Sequence, residues 1–198
     1  MYNDFLSSVA KRRSYYGIKS ESPISDERLK SLIEEAVKHT PSAMNSQSTR
    51  VVVLLKEQHH KLWELTRESL RLVVPMEQFK ATNDKIDSFK SGYGTVLFYE
   101  DMEVITTLQK QFELYKDNFP VWSHQASGIS QFIIWNTLVT EGFGASLQHY
   151  TELIEEDVKN EWQIPSTWKL IAQMPFGTPT MEPFKKEFLP VEDRVKFI

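Results

Sequence analysis

The chain has 198 residues, of which 40% are hydrophobic and 25% are charged, so its size and composition suit one domain over residues 1–198 with a substantial core. Its net charge of -4 argues against nucleic acid as a partner, because binding to a phosphate backbone needs a basic surface. It has no cysteine, which excludes disulfides and thiolate metal sites. No apolar stretch approaches the roughly 18 residues that a membrane span needs, so we expect a cytoplasmic protein without a membrane partner.

The spacing of apolar residues predicts helices that alternate with a few strands. The helix over residues 25–39 has the clearest signals, because Ser25 is an N-cap candidate and apolar residues then recur at helical spacing. In chain order, we predict helices over residues 4–13 and 25–39, a strand over 51–55, helices over 58–73 and 82–90, a strand over 95–99, helices over 103–117 and 123–141, a strand over 145–147, a helix over 154–162, a strand over 169–174 and a terminal strand within 187–198.

A basic segment follows the first predicted helix. Arg12 and Arg13 stand beside the hydroxyl of Ser14. Guanidinium groups offer planar, bidentate donors that stay charged at cellular pH, and a seryl hydroxyl adds a neutral donor, so these side chains suit a phosphate monoester. The alternative is a basic helix end, where cations offset the helix macrodipole.

A polar loop lies between the second predicted helix and the first predicted strand. Within residues 41–47, the side chains of Ser42, Asn45, Ser46 and Gln47 can all form hydrogen bonds. An amide presents a donor and an acceptor together, which is what the edge of a planar heterocycle such as the flavin pyrimidine ring requires. The alternative is turn chemistry, because proline, serine and asparagine favour turns for backbone reasons alone.

The adjacent histidines His59 and His60 do not predict a metal site. They lack the i, i+4 spacing of a helical zinc pair and lie among lysine and glutamate, so we expect both on the surface.

The order and spacing of the basic segment, the polar loop and the strand after it resemble the nitroreductase family of FMN-dependent oxidoreductases, and the resemblance covers essentially the whole chain. Further segments that carry it are GTVLFYED at residues 94–101, GFGASLQHY at 142–150, QMPFG at 173–177 and the tail at 185–196. They look most like the short branch of the family that includes the fatty-acid repression mutant protein of yeast and bacterial stress-induced nitroreductases.

The resemblance implies an α+β fold in which helices flank a central, mostly antiparallel sheet. It also implies an intertwined homodimer with C-terminal strand exchange, in which the tail of each chain joins the sheet of its partner. The helix predicted over residues 123–141 would then form the subunit interface, which accounts for its large apolar surface.

The resemblance also implies the site, in which FMN carries the chemistry and no catalytic side chain or metal is needed. Ser42, Asn45 and Gln47 would contact the ring edge, with the two amides coming from the neighbouring subunit, and residues 147–150 would lie near N5. Either Lys186 or Arg194 would add a charge at the phosphate, and His124 is a further candidate contact. The full set of expected FMN contacts is Arg12, Arg13, Ser14, Tyr15, Pro41, Ser42, Ala43, Asn45, Gln47, Leu147, Gln148, His149, Lys186 and Arg194.

The implied activity is reduction of nitroaromatic or quinone-type acceptors by NADH or NADPH, through a ping-pong hydride transfer that serves stress responses or detoxification. One open pocket would bind the nicotinamide dinucleotide and the acceptor in turn. The alternative is a non-enzymatic stress or lipid-signalling regulator on the same fold. Such a regulator has no need for Arg12, Arg13, Asn45 and Gln47 together.

Overall fold

A computed structural model describes residues 4–198 of the chain, which contain seven helices and five strands. In chain order they are α1 (Asp4–Lys11), β1 (Ile18–Lys19), α2 (Asp26–Lys38), β2 (Thr49–Leu55), α3 (Lys56–Arg71), α4 (Phe79–Lys90), β3 (Gly94–Asp101), α5 (Met102–Gln111), α6 (Phe119–Thr140), β4 (Gly144–Ala145), α7 (Thr151–Trp162) and β5 (Trp168–Pro179). Short 3-10 helices lie at Ala43–Asn45, Met76–Gln78 and Glu113–Tyr115.

The strands form one antiparallel sheet in the order β1-β5-β3-β2, and β4 also pairs with β5. β3 lies inside the sheet, and all of its residues are buried because helices cover both faces. β2 pairs with β3 from Thr49 opposite Glu100 to Leu55 opposite Gly94. Its other edge has no partner within residues 4–198. This architecture confirms the predicted α+β class with a central antiparallel sheet.

Two apolar clusters cover the two faces of the sheet. Successive residues of β3 point to opposite faces, so Val96 and Phe98 belong to one cluster and Leu97 and Tyr99 to the other. Helices α2 and α6 close the first cluster, and helices α3, α4 and α7 close the second. The sheet therefore lies between two helical layers.

Most predicted elements are present with shifted ends. The N-cap prediction is confirmed, because the Ser25 hydroxyl accepts a hydrogen bond from the Arg28 N–H at 3.2 Å. The helix predicted over residues 103–117 is too long, since α5 ends at Gln111 and only a 3-10 turn follows. The strand predicted over residues 145–147 is likewise shorter, at Gly144–Ala145. The two-residue strand β1 has no local signal, because it forms only by pairing with the distant end of β5.

The prediction that His59 lies on the surface is wrong. Because α3 begins at Lys56, His59 falls on the same buried face as Leu62, one helical turn later. Its Nδ1 lies 2.8 Å from Thr95 Oγ1, and its Nε2 lies 3.1 Å from the carbonyl oxygen of Lys90. Burial lowers the pKa of His59 to about 4, so the side chain is a neutral part of the core.

The C-terminal tail, residues 187–198, forms no strand within the described chain. Its side chains are exposed, and a turn brings the N–H groups of Arg194 and Val195 to the carbonyl oxygen of Val191 at 2.9 Å. The terminal strand is thus absent from the single chain, because a strand needs a neighbour to pair with. Strand exchange between two chains stays a prediction.

Candidate functional site

The basic segment lies at a surface cavity beside the C-terminal tail. After α1 ends at Lys11, the Tyr15 N–H donates to the carbonyl oxygen of Ala145 at 2.9 Å, which fixes the segment against β4. The cavity has a volume of about 380 Å³ and is lined by Arg12, Arg13, Ser14, Tyr16, Phe184, Lys185, Lys186 and Glu187. An adjoining cavity of about 600 Å³ shares both arginines and both lysines. The structure therefore brings the three predicted phosphate ligands together with Lys186.

We call Arg12, Arg13, Lys185 and Lys186 the cation cluster. Among the described residues, none of these four side chains forms an ion pair. Burial lowers the pKa of the Arg12 guanidinium, and the neighbouring Arg13 lowers it further. A lowered pKa means that the surroundings disfavour the positive charge, so a bound anion would stabilise it. Lys185 was not singled out from the sequence, because only the fold places it opposite the arginines.

Two contacts orient the guanidinium groups of the cation cluster. Arg12 Cζ lies 4.3 Å from the ring centroid of Trp135 on α6, which is a cation–π contact. Arg13 donates a hydrogen bond to the carbonyl oxygen of Phe184. Both arginines are therefore held by the chain around them, which reduces the entropy lost on binding an anion.

The polar loop, residues 41–47, has a strained backbone. The φ angles of Met44, Asn45 and Gln47 are 52°, 51° and 48°, in the left-handed region. A residue other than glycine costs about 1–2 kcal/mol there, although asparagine tolerates it better. Within the loop, Ser42 Oγ accepts from the Gln47 N–H at 2.9 Å and the Ser42 carbonyl accepts from the Asn45 N–H at 3.0 Å. The side chains of Asn45 and Gln47 are exposed, so a ligand can reach both.

A buried carboxylate lies under the C-terminal end of this loop. Glu100 is 1% exposed, and its two oxygens accept hydrogen bonds from Ser48 Oγ and Thr49 Oγ1, each at 2.6 Å. Burial raises the pKa of the Glu100 carboxyl, while the two hydroxyl donors act in the opposite sense. Sequence reasoning missed Glu100. The available signal was a carboxylate near the end of an otherwise mostly apolar strand.

The segment expected near flavin N5 follows β4. Gln148 pairs with Gln173 of β5 through two backbone hydrogen bonds, at 2.7 and 2.9 Å. The Gln148 side chain is buried and donates to Ser146 Oγ at 3.1 Å. Leu147 is partly buried against the first apolar cluster, whereas His149 is exposed. In this segment it is therefore His149, and not Gln148, that presents a polar side chain to solvent.

The polar loop and the cation cluster lie against different parts of α6. Residues 41–44 line a cavity of about 420 Å³ together with Trp122, Gln125, Ala126 and Ile129, in the first half of the helix. The cation cluster contacts Trp135, near its end. At a helical rise of about 1.5 Å per residue, Trp135 lies about 9 Å beyond Ile129 and about 20 Å beyond Trp122 along the helix axis, and the loop cavity has no lining residue in common with the two cavities of the cation cluster. The structure thus does not bring the two predicted parts of the site together within one chain.

A groove of about 790 Å³ runs between α2 and the unpaired edge of β2. Its apolar lining comes from Leu29, Ile33, Val37, Val51, Val53 and Leu55. Six of the seven β2 residues are only partly buried, because no other described element covers this side. The tail also exposes apolar side chains, at Phe188, Leu189, Val191, Val195, Phe197 and Ile198. The single chain therefore leaves both an open strand edge and an uncovered apolar tail.

Two of the candidate contacts lie away from the cation cluster. Arg194 is exposed in the tail and lines neither of the two cavities there, whereas Lys186 lines both. His124 is exposed on α6. Residues 4–198 contain no group of three or more histidine, aspartate or glutamate side chains that could hold a metal ion. None of the helices in that range is both long enough and apolar enough to cross a bilayer.

Comparison with known proteins of similar sequence or structure identifies the family. The sequence model of the nitroreductase family matches residues 9–178. Nitroreductase CinD from Lactococcus lactis in complex with chloramphenicol is 40% identical, with a TM-score of 0.91 over 98% of this chain and 99% of CinD. CinD structures also exist in complex with nicotinic acid and with 4-nitrophenol.

Two more distant proteins extend the likeness. The nitroreductase homologue HBN1 of Saccharomyces cerevisiae is 30% identical over 187 residues, which cover 93% of each chain. A nitroreductase with bound FMN from Desulfitobacterium hafniense is 18% identical and has the same fold, with a TM-score of 0.72 over 100% of both chains.

Proposed function

The chain belongs to the nitroreductase family, and we propose that it is an FMN-dependent oxidoreductase that uses NADH or NADPH to reduce nitroaromatic or quinone-type acceptors, in stress responses or detoxification. Family and fold support an oxidoreductase. CinD, at 40% identity, binds nicotinic acid and the nitroaromatic compound 4-nitrophenol, which supports small aromatic ligands for this chain as well.

The observation that carries the proposal is the cation cluster. Its four positive charges, which form no ion pair within residues 4–198, and the Ser14 hydroxyl converge on one cavity beside the tail. A phosphate monoester carries close to two negative charges at neutral pH and accepts several hydrogen bonds, so it would match both the charge and the donors of this cavity. Arg12, Arg13, Ser14 and Lys186 would hold the FMN phosphate, and Tyr15 would fix the segment through its backbone contact with β4.

The chemistry supplied by FMN, when it is bound, is ping-pong hydride transfer from NADH or NADPH to the acceptor. The chain itself would bind and orient the ring. The exposed amides of Asn45 and Gln47 offer donors and acceptors for its pyrimidine edge, together with Ser42 and the loop residues Pro41 and Ala43. Residues 147–149 at the end of β4 would line the reactive side of the ring.

We also propose that the site is shared between two chains of a homodimer. Because the polar loop lies against the first half of α6 and the cation cluster against Trp135 near its end, a twofold arrangement would bring the loop of one chain to the cluster of its partner. The exposed residues Val121 and Ile129 on α6 are consistent with an interface there. The tail of each chain would lie in the partner's groove as an added strand on β2.

The test is the visible absorption spectrum of the purified protein before and after anaerobic addition of NADH or NADPH. We expect flavin bands that bleach on addition of the preferred donor and recover on addition of a nitroaromatic or quinone. A colourless protein that also fails to take up added FMN would refute the proposal and leave the non-enzymatic regulator. Omission of the dinucleotide is the control for bleaching by light alone.

A further inference from the structure

The polar loop holds a backbone conformation that its own contacts do not explain. Met44, Asn45 and Gln47 are all in the left-handed region. The hydrogen bonds that Ser42 accepts from Asn45 and Gln47 close the loop on itself but do not connect it to the sheet. Strained segments persist only where the surrounding structure determines them. Contacts outside the loop therefore hold it: residues 41–44 face α6 at Trp122, and the residues that follow the loop connect it to the sheet.

The first connection to the sheet runs through Glu100. Its carboxylate takes the hydroxyl hydrogen bonds of Ser48 and Thr49, two successive residues directly after the loop. The backbone adds one more, because the Asp101 N–H donates to the Ser48 carbonyl at 3.0 Å. Ser48 itself is fully buried, so the C-terminal end of the loop is anchored on the sheet, whereas Asn45 and Gln47 stay exposed to solvent.

The second connection runs through Arg50. One Nη donates to the carbonyl oxygen of Gln47 at 2.6 Å, and the other donates to Asp101 Oδ2 at 3.0 Å. The Arg50 guanidinium also lies 5.8 Å from the ring centroid of Trp168. Glu100 and Asp101, adjacent at the end of β3, thus bind the same short segment from its two sides.

Packing alone does not account for a carboxylate at residue 100. Hydrogen-bonded polar partners that are replaced together by apolar groups of the same shape often cost little stability, and the rest of β3 is mostly apolar. What an apolar side chain cannot do is accept two hydrogen bonds at fixed angles from neighbouring residues. The carboxylate therefore has a geometric use, which is to set where the loop leaves the sheet.

We propose that Glu100 is a positioning residue, whose buried carboxylate fixes Ser48 and Thr49 and through them aims Asn45 and Gln47 at the flavin ring. This inference rests on the proposed function for its ligand. The Arg50–Asp101 pair supports the same segment. Because Glu100 is buried and bonded to Ser48 and Thr49, its effect on flavin binding would pass through the loop.

The test is a double-mutant cycle on the dissociation constant of FMN, measured by fluorescence titration of the apoprotein. We expect Glu100→Ala to raise the dissociation constant about tenfold and Ser48→Ala about threefold, as for the loss of two ordinary hydrogen bonds and of one. In a chain that already carries Asn45→Ala and Gln47→Ala, either substitution should change it less than about twofold, because the loop then has no amide left to aim.

A structural effect and a positioning effect are separated by a matched control. Thr95→Val also removes a buried hydroxyl of β3, one that is bonded to His59 and Trp63 at the end of the strand away from the loop. It should lower the denaturant midpoint without changing FMN affinity. Hydrogen exchange of the apoprotein provides a second readout, in which Glu100→Ala should speed exchange at the backbone N–H groups of Asn45 and Gln47.

The outcomes distinguish this inference from the proposed function. If the natural chain binds FMN but Glu100→Ala and Ser48→Ala leave its affinity unchanged, or weaken it equally with and without the two amides, the positioning role is refuted. If the natural chain binds no FMN, the proposed function fails, and unchanged hydrogen exchange in the Glu100 variant then refutes the anchoring of the loop. Should Glu100→Ala not fold, Ser48→Ala completes the same cycle.

Discussion

Replacing Val195 and Phe197 with serine should separate the proposed dimer into single chains. In an extended tail, these residues and Val191 lie on one face, while Glu192 and Lys196 lie on the other. Val195 is 50% exposed and Phe197 is 94% exposed in the single chain. Both would become buried if the apolar face of the tail filled the groove beside β2.

The size of the effect follows from these exposures. Full burial of a valine or phenylalanine side chain contributes about 1.5–3 kcal/mol. Burial of the exposed half of Val195 and of nearly all of Phe197 therefore stabilises the dimer by about 3.5 kcal/mol per tail. Two tails give about 7 kcal/mol for the dimer, which is an upper limit because the free tail is already partly compact. Even half of that limit would raise the dissociation constant of the dimer about 300-fold.

Sedimentation velocity across a dilution series measures this constant directly, and circular dichroism checks that the single chain stays folded. The matched control is Glu192→Ser with Lys196→Ser, which alters the opposite face of the same tail. We expect the control to remain dimeric at concentrations where the Val195 and Phe197 variant dissociates. A natural chain that is monomeric throughout, or an apolar-face variant as tightly dimeric as the control, would refute the docking of the tail in the groove.

Three further perturbations test other contacts. Arg13→Ala should yield folded protein with FMN affinity reduced about 10- to 100-fold, as expected for a lost charge-assisted hydrogen bond. The control Lys11→Ala should bind FMN as the natural chain does. Equal FMN content of the two variants after purification would contradict this prediction. Trp135→Leu should weaken FMN binding about 2- to 30-fold by removing the cation–π contact that orients Arg12, with no change in the flavin spectrum of the bound fraction. The pKa of His59 is lowered to about 4 in the fold, so on acidification this side chain binds a proton in the unfolded chain before it does so in the folded one. The free energy of unfolding should therefore fall by about 2 kcal/mol between pH 7 and pH 5. Urea titrations of His59→Asn at the two pH values should lack this part of the fall.

The parts of the molecule that the sequence predicts best are those set by neighbouring residues. The start of α2 follows from Ser25, whose side chain caps a backbone N–H three residues later. The proposed phosphate ligands Arg12, Arg13 and Ser14 are consecutive, so any fold would leave them close together. Their meeting with Lys186, by contrast, was expected only from the family resemblance, because nothing local relates residue 13 to residue 186.

The failures share one physical cause, which is dependence on partners distant in the chain. His59 has lysine and glutamate as sequence neighbours, yet its partner Thr95 lies on β3 and brings it into the core. In the sequence, Glu100 is simply a charged residue near the end of a strand. Its hydrogen bonds depend on the pairing of β2 with β3, which places Ser48 and Thr49 against it. The tail likewise alternates as a strand does, but it pairs with no strand within residues 4–198.

The separation of the polar loop from the cation cluster along α6 has a genetic consequence. In the proposed dimer, each site takes its loop from one chain and its cluster from the other. A chain with Arg13→Ala and a chain with Asn45→Ala would each form defective dimers alone. In a mixed dimer, one site would inherit both defects and the other would inherit neither. Two inactive alleles expressed in one cell would therefore complement each other and restore part of the activity.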